Sequence, residues 1–142
     1  MKAKNMITVL LLATAMTVTA QRKISVADLP PGAAEFIEKY FPGRTIAIAK
    51  KDWEHGEKGF EVILSDNTEV EFWKDGTWRE IDGRGKPIPT DYIAPSIVAY
   101  VAKNYPNEKI THIDYGHKDV DVDLTGKIDL EFTKDGKFLK AD

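Results

Sequence analysis

The chain has 142 residues, of which 42% are hydrophobic and 30% are charged, so it is long enough for one domain of ordinary size. It contains no cysteine, which excludes a disulfide framework, a thiolate metal site and a cysteine nucleophile. Its net charge of −3 makes nucleic-acid binding a poor prediction, because affinity for phosphates comes from lysine and arginine.

Residues 1–20 have the pattern of a signal peptide. Lys2 and Lys4 precede an apolar stretch from Met6 to Met16, and Thr17 to Ala20 offer the small residues that signal peptidase requires. The apolar stretch is shorter than a membrane span, so an uncleaved anchor is the less favoured alternative. Without Lys2 and Lys4 the chain has 18 cations against 23 carboxylates, a net charge of −5. We expect it to be periplasmic or secreted, with no membrane association after cleavage.

The first element predicted after a polar lead-in at residues 21–27 is a helix. Asp28 is a favourable cap, and Pro30-Pro31 suits the first turn because proline lacks an N–H that would be unpaired there. Pro42-Gly43 is expected to end the helix. One helical face collects the apolar residues Ala33, Phe36, Ile37, Tyr40 and Phe41.

Four short strands are predicted next, at residues 45–51, 59–64, 69–73 and 77–81. They follow one another too closely for the crossover that parallel strands need, so we expect them to pair antiparallel. Within residues 69–73 acidic and apolar side chains alternate, which indicates a strand with one buried face and one solvent-facing face.

The turn at Asp75-Gly76 joins the last two of these strands, and its length decides where the tryptophans point. A three-residue turn places Phe72 opposite Trp78 on the core side and leaves Trp73 facing outward. A two-residue turn would instead pair Trp73 with Trp78 on the outside. We favour the first, because the second half of the chain repeats the Phe72–Trp78 spacing.

The chain is built from a pattern that occurs twice. Residues 69–76 return in altered form at residues 129–136, with the same alternation and the same Asp-Gly turn. Residues 83–89, which contain two glycines and two prolines, are predicted to be an irregular linker. We therefore predict two repeats, at residues 28–82 and 90–142.

The second repeat is expected to have the same elements as the first. Its helix would be capped by Thr90 or Ala94, and its strands are predicted at residues 109–115, 119–124, 128–133 and 137–140. A helix followed by four antiparallel strands, twice, predicts a two-layer α+β fold in which the sheets join edge to edge and both helices cover one face. The predicted core residues are Phe60, Val62, Leu64, Val70, Phe72, Val120, Val122, Leu124, Leu130 and Phe132.

The other face of the predicted sheet is acidic. Its eight predicted carboxylates are Glu61, Glu69, Glu71, Asp119, Asp121, Asp123, Asp129 and Glu131. If each inner hairpin has a three-residue loop, Ser65 lies opposite Glu69 and Thr125 opposite Asp129. Ile63 then lies opposite Glu71, and Asp123 opposite Glu131. Such a face is either simply solvated or kept acidic for a basic partner or a cation, and the residues alone leave both interpretations open.

We predict that this face binds a protein partner, with Trp53 contributing from a hairpin excursion that only the first repeat has. The predicted contact residues are Trp73, Glu71, Ile63, Glu61, Trp53, Asp121, Asp123 and Glu131. The alternative is a divalent cation, such as calcium, bound by Asp121, Asp123, Asp129 and Glu131. The sequence has no nucleophile motif and no cofactor fingerprint, so neither an enzyme nor a cofactor is predicted.

The three histidines match no metal-binding motif. They are His55, His112 and His117, and one predicted turn is surrounded by His112, Asp114, His117 and Asp119. A zinc cluster at that turn is an alternative, but the spacing favours ordinary surface histidines.

Each repeat has the same order of two features, a predicted helix end and then an aromatic segment around the Asp-Gly turn. In the first repeat these are Tyr40–Gly43 and Phe72 to Trp78, and in the second they are Asn104–Asn107 and Phe132 to Phe138. This order, behind a signal peptide, resembles the bacterial PepSY-like family of small exported proteins over nearly all of residues 28–142. The resemblance implies a fold similar to that of β-lactamase inhibitor proteins, in which tandem repeats present a concave sheet to an enzyme. It implies a binding module, with inhibition of a hydrolase or peptidase as one activity, and no catalytic residues.

Overall fold

A computed structural model describes residues 22–54 and 57–142 of the chain, and leaves out the side chains of residues 52–58. The predicted signal peptide at residues 1–20 and the predicted histidine His55 therefore lie outside the described residues. The side chain of Trp53 does so too.

Within the described residues, nine strands form a single antiparallel sheet in the order of the sequence, accompanied by two α-helices. The predicted α+β class and the single joined sheet are confirmed. The elements are β1 (Arg22–Ile24), a short 3₁₀ helix (Val26–Asp28), α1 (Pro31–Tyr40), β2 (Ile46–Glu54), β3 (Glu57–Leu64), β4 (Glu69–Trp73), β5 (Trp78–Asp82), α2 (Pro95–Asn104), β6 (Ile110–Tyr115), β7 (Asp119–Leu124), β8 (Ile128–Thr133) and β9 (Phe138–Ala141).

The start of the chain differs from the prediction in two ways. The polar lead-in at residues 21–27 contains β1, which pairs antiparallel with β2. Asp28 does not cap α1, because it ends the 3₁₀ helix and Pro30 occupies the N-cap position. A residue before proline is pushed towards extended backbone, so Pro30, which precedes Pro31, has a ψ of 143° and the helix cannot begin earlier. At α2 the cap is Ala94 rather than Thr90.

The predicted three-residue turn at Asp75-Gly76 is confirmed. The carbonyl of Trp73 accepts the Gly76 N–H at 2.9 Å, and Phe72 lies directly opposite Trp78. Gly76 has a φ of +89°, a conformation that glycine adopts without the steric cost that a Cβ atom imposes.

The predicted register of the first inner hairpin is wrong. Glu69 lies opposite Ile63, not opposite Ser65. The turn closes one residue earlier than expected because Asn67 adopts a left-handed conformation, with a φ of +71°. The Asp66 carboxylate accepts the Thr68 N–H at 3.1 Å and holds this geometry.

The second inner hairpin is displaced in the same way. Asp129 lies opposite Asp123 rather than Thr125, and Lys127 takes the left-handed position with a φ of +59°. The shift changes the charge pairing. In the first hairpin Glu61 now faces Glu71 in place of the expected Ile63, and in the second Glu131 faces Asp121 in place of Asp123.

The core is a row of small and branched apolar residues that face one another across the strands. Nine of the ten predicted core residues are buried, and the exception, Phe60, is half-buried against them. From α1, Phe36 contacts Phe72 edge-on at a centroid distance of 5.7 Å, and from α2, Tyr100 contacts Phe132 at 5.4 Å. In register, the row comprises Ala49, Val62, Val70, Ile81, Ile113, Val122 and Leu130.

Candidate functional site

Six carboxylates lie in direct register across the six strands β3 to β8, and we call them the carboxylate row. Directly opposite residues point to the same side of a sheet, and neighbouring strands are about 4.8 Å apart, so these side chains form a nearly continuous line. Lys50 lies opposite one end of the line and Lys140 opposite the other. In order, the row comprises Glu61, Glu71, Glu80, Asp114, Asp121 and Glu131.

A second row runs beside the first, and it is also acidic apart from one histidine. Its members, again directly opposite one another, are Glu69, Asp82, His112, Asp123 and Asp129. Like charges placed opposite one another destabilise a sheet, so two such rows need compensating cations.

The centre of both rows was not predicted from the sequence. Glu80, Asp82 and Asp114 were absent from the predicted face, although they alternate with apolar residues just as the predicted carboxylates do. They join the rows only because β5 pairs with β6, which brings Glu80 opposite Asp114. A bulge beside Glu71, where the register skips Arg79, also shifts the alternation in β5.

On the β3–β4 side, cationic side chains cover much of the acidic face. The Arg79 guanidinium donates to Glu71 Oε2 at 2.5 Å and lies 5.0 Å from the centroid of the Trp73 ring. The other neighbour of Trp73 is His117, at a centroid distance of 5.5 Å. Trp73 does face outward as predicted, but it is half-buried between these two groups.

Glu61 contradicts the prediction that it faces solvent, since only 7% of its surface is exposed. Lys50 Nζ lies 4.0 Å from its carboxylate. Ile63, which lies two residues after Glu61 on the same face of β3, is half-buried. The first repeat therefore offers a partner little free carboxylate.

His112 bridges the two halves of the sheet and was wrongly predicted to be an ordinary surface histidine. Its Nε2 lies 2.8 Å from Glu80 Oε1 and its Nδ1 lies 3.0 Å from Asp123 Oδ2. Burial alone would lower the pKa of His112, but the hydrogen bond to Glu80 and the charges of both carboxylates outweigh it and raise the pKa to about 9. His112 is therefore a cation at neutral pH.

The carboxylates around His112 respond differently to their surroundings. The hydrogen bond from His112 lowers the pKa of Glu80 in spite of burial. Burial raises the pKa of Asp123 even though His112 is in contact, and the neighbouring Asp129 adds to that effect. Burial and the charge of Glu80 raise the pKa of Asp114. Glu80 thus interacts with His112 more strongly than Asp123 does.

The accessible part of the acidic face lies on β7 and β8, and we call it the exposed acidic patch. Asp121 and Asp129 are exposed, and 43% of the Asp123 side chain reaches solvent. Glu131 is half-buried and forms an ion pair with Lys140 at 3.3 Å. The patch consists of Asp121, Asp123, Asp129 and Glu131, which are the four residues of the alternative cation prediction.

In residues 22–54 and 57–142, no three histidine or carboxylate side chains converge as metal ligands would. The predicted zinc alternative around His112, Asp114, His117 and Asp119 is therefore not formed. Neither helix in the same ranges is long and apolar enough to cross a membrane.

A family model described as "Putative beta-lactamase-inhibitor-like, PepSY-like" matches residues 58–140. The chain belongs to the PepSY-like family. The predicted resemblance is thereby confirmed, and the matched region holds the hairpins that carry the carboxylate row. No curated protein matches the sequence.

Three solved structures from Bacteroides species are similar to the chain. One, from Bacteroides thetaiotaomicron and described as a "putative calcium-regulated periplasmic protein", is 32% identical with a TM-score of 0.81, covering 86% of this chain and 96% of its own. A DUF2874-family protein from Bacteroides vulgatus is 29% identical with a TM-score of 0.82, over 88% and 98% of the two chains. Another Bacteroides vulgatus protein is 30% identical with a TM-score of 0.81, over 87% and 99%. All three are described as periplasmic, which confirms the predicted location.

Proposed function

We propose that the protein is a non-enzymatic binding module of the periplasm whose sheet face binds a basic segment of a protein partner. The observation that carries this proposal is the carboxylate row: the paired apolar residues of the core decide which positions align on the opposite face, but they do not require an acidic residue at any of the six. Like charges in register reduce stability, so selection for stability alone would not favour them. Complementary charge from a partner offsets that cost.

The spacing of the row favours a helix as the basic segment. Neighbouring carboxylates are about 4.8 Å apart, whereas successive turns of an α-helix are about 5.4 Å apart. A helix laid across the strands, with lysine or arginine on one stripe, can therefore present one cation to each strand. In an extended segment, residues on the same side are about 6.7 Å apart, so its cations fall out of step with the carboxylates after two strands.

Sheet twist limits how far a straight helix can follow the row. At about 20–25° per strand, three strands already turn by about 40–50°. The best-fitting stretch is β6 to β8, where Asp114, Asp121 and Glu131 lie in register and the exposed acidic patch is accessible. We propose that this stretch makes the principal contacts.

The remaining predicted contact residues take a secondary role in this proposal. Ile63 and Trp73 supply apolar contacts at the β3–β4 side, and Trp53 stays a predicted contact whose side chain lies outside the described part of the structure. Glu61 and Glu71 are paired with Lys50 and Arg79, so they add little charge for a basic partner. Trp73 is held in place by Arg79, which makes it a rigid rather than a flexible contact.

Two synthetic helical peptides of identical composition test the proposal. One carries its lysines on a single stripe and the other distributes them around the helix, and binding is followed by fluorescence anisotropy. The striped peptide should bind more tightly, and the double variant Asp121→Asn/Glu131→Gln should weaken it about tenfold, because each exposed ion pair contributes up to about 1 kcal/mol. Glu35→Gln/Glu38→Gln, which removes two exposed charges from α1, is the matched control.

The outcomes test the helical form of the partner and the binding surface separately. Equal binding of both peptides would reject the helical partner. Unchanged binding by Asp121→Asn/Glu131→Gln, or an equal loss in the α1 control, would reject the sheet face itself.

We also infer that the two halves arose by duplication and that both helices cover the apolar side of the sheet. In support, the glycine of each Asp-Gly turn lies against the start of a helix: a Cβ atom on Gly76 would meet Pro30, and one on Gly136 would meet Ser96. With both helices there, neither helix covers the carboxylate row, and its part on β6 to β8 stays open to a partner. The family description further favours inhibition of a hydrolase as the outcome of binding.

A second candidate function is calcium binding at the exposed acidic patch. It is favoured by the related structure described as calcium-regulated and by the chemistry of the patch, since calcium prefers carboxylate oxygens. The four side chains would have to rotate towards one another. Asp121 and Asp129 are exposed and can do so readily, whereas Asp123 would have to leave His112 and Glu131 would have to leave Lys140. Millimolar calcium should then raise the melting temperature of the protein while sodium chloride of equal ionic strength does not, and Asp123→Asn/Asp129→Asn should abolish the rise. An identical response to both salts would eliminate this function.

A further inference from the structure

A cavity of about 330 Å³ lies where the first Asp-Gly turn, the segment before α2 and the second half of the sheet meet, away from the exposed acidic patch. We call it the aromatic notch. Four of the six side chains that line it are aromatic, and they come from four separate parts of the chain. The lining residues are Trp73, Thr77, Trp78, Tyr92, Tyr115 and Lys134.

The aromatic walls are fixed by their contacts with one another. Trp78 meets Tyr92 at a centroid distance of 5.3 Å and an interplanar angle of 71°, and it meets Tyr115 at 5.1 Å and 87°. Both arrangements are edge-to-face, the geometry that aromatic pairs favour. Trp73 is fixed separately by Arg79 and His117. The notch therefore presents a preformed wall of rings packed against one another, on whose surface a ligand ring can lie.

The size of the notch limits what it can hold. Ligand cavities range from about 300 to 1,000 Å³, and this one lies at the lower limit. It has room for one aromatic side chain and the backbone atoms attached to it, but not for an extended peptide.

Two polar groups define the rest of the ligand. The Thr77 hydroxyl donates its hydrogen to Asp75 Oδ1 at 2.6 Å, so the lone pairs on its oxygen are left to accept an N–H. The exposed Lys134 forms no ion pair with any carboxylate in the described part of the chain, and its ammonium group is available to an anion. The notch thus combines a ring site, an N–H acceptor and a cation.

We propose that the aromatic notch binds the carboxyl terminus of a peptide that ends in an aromatic residue. The ring of that residue packs against the wall formed by Trp73, Trp78 and the two tyrosines, its amide N–H donates to Thr77, and its free carboxylate pairs with Lys134. This site is separate from the carboxylate row, although Trp73 adjoins both. An acidic peptide end at the notch is also compatible with a basic helix on the acidic face.

N-acetylphenylalanine is the probe for the test. Two-dimensional NMR should show saturable shifts of the indole N–H signals of Trp73 and Trp78, identified by their loss in Trp73→Phe and Trp78→Phe. N-acetylphenylalaninamide, which lacks the carboxylate, and N-acetylglycine, which lacks the ring, should both bind more weakly. Lys134→Gln should weaken the binding of N-acetylphenylalanine about fivefold, the upper range for an exposed ion pair.

The chain supplies a matched control for the lysine. Lys74 holds the corresponding position in the first Asp-Gly turn, is exposed, and does not line the notch. Lys74→Gln should leave the affinity unchanged. The proposal is overturned if the indole signals do not shift, if the amide binds as well as the acid, or if Lys134→Gln and Lys74→Gln behave alike. Asp121→Asn/Glu131→Gln should still bind the probe, which keeps this test independent of the proposed function.

Discussion

His112 should make the stability of the protein depend on pH in a window where few other groups titrate. The change to make is His112→Gln, which keeps a polar side chain of similar size and removes the titratable group. In the folded protein the pKa of His112 is raised from 6.5 to about 9 by the hydrogen bond to Glu80 and the nearby charges, against the effect of burial. A group with a raised pKa stabilises the folded state fully below the unfolded pKa and loses that contribution as the pH rises through the folded pKa.

The size of the effect follows from the shift. Each pKa unit corresponds to about 1.36 kcal/mol, so the shift sets an upper limit of about 3 kcal/mol. Because 43% of the Asp123 side chain is exposed and solvent screens its charge, we expect about 1–2 kcal/mol. The lowered pKa of Glu80 reflects the same hydrogen bond, so it adds nothing further in this window.

Urea unfolding at a series of pH values measures the prediction. The free energy of unfolding of the wild type should fall by about 1–2 kcal/mol between pH 6.5 and 9, while His112→Gln should start lower and lose much less over the same range. Glu35→Gln/Glu38→Gln, which changes two exposed side chains on α1 and leaves His112 and its two carboxylates in place, is the control, and it should keep the wild-type slope. Parallel curves for the wild type and His112→Gln would refute the assignment of a charged His112.

Three further substitutions test the geometry of the fold. Gly83→Ala should destabilise the protein by about 2 kcal/mol or more in thermal unfolding, because a Cβ atom there would lie 2.2 Å from the carbonyl oxygen of Lys86, a backbone atom that cannot rotate away. Gly43→Ala, with a φ of +79° but open space around it, should cost only the strain, about 1 kcal/mol, and equal losses at both glycines would refute the close contact of Gly83 with Lys86. Tyr92→Phe should leave stability unchanged or raise it by about 1 kcal/mol, since the Tyr92 hydroxyl is buried without a hydrogen-bond partner in the described structure, and a clear loss of stability would show that the hydroxyl is satisfied.

Much of the fold could be predicted from local patterns. Alternation of acidic and apolar residues has a period of two, and that period predicted β4, β7 and β8 with the observed bounds. Of the ten core residues predicted from it, nine are buried. The turn at Gly76 could be predicted for the same reason, because a positive φ is a local demand that glycine meets at no steric cost. The cap of α1 was missed because Pro30-Pro31 imposes extended backbone on the residues before it, a restriction that overrides the capping preference of Asp28.

The candidate site depended on contacts that no local pattern reveals. Which side of a strand a residue faces is set by the period, but which residue lies opposite it is set by how each turn closes. The left-handed Asn67 and Lys127 moved both inner hairpins, and so placed Glu61 opposite Glu71 and Asp121 opposite Glu131.

By itself, then, the sequence determined the elements, the buried face and the acidic character of the opposite face, since each follows from the order of residue types along a strand. Only the tertiary structure decided that Glu80 and Asp114 complete one line of carboxylates and that His112 is charged. It also decided that Glu61 is buried. The physical reason is that the pairing of β5 with β6 joins residues more than thirty positions apart, and the charge of a side chain depends on the neighbours that such pairing brings.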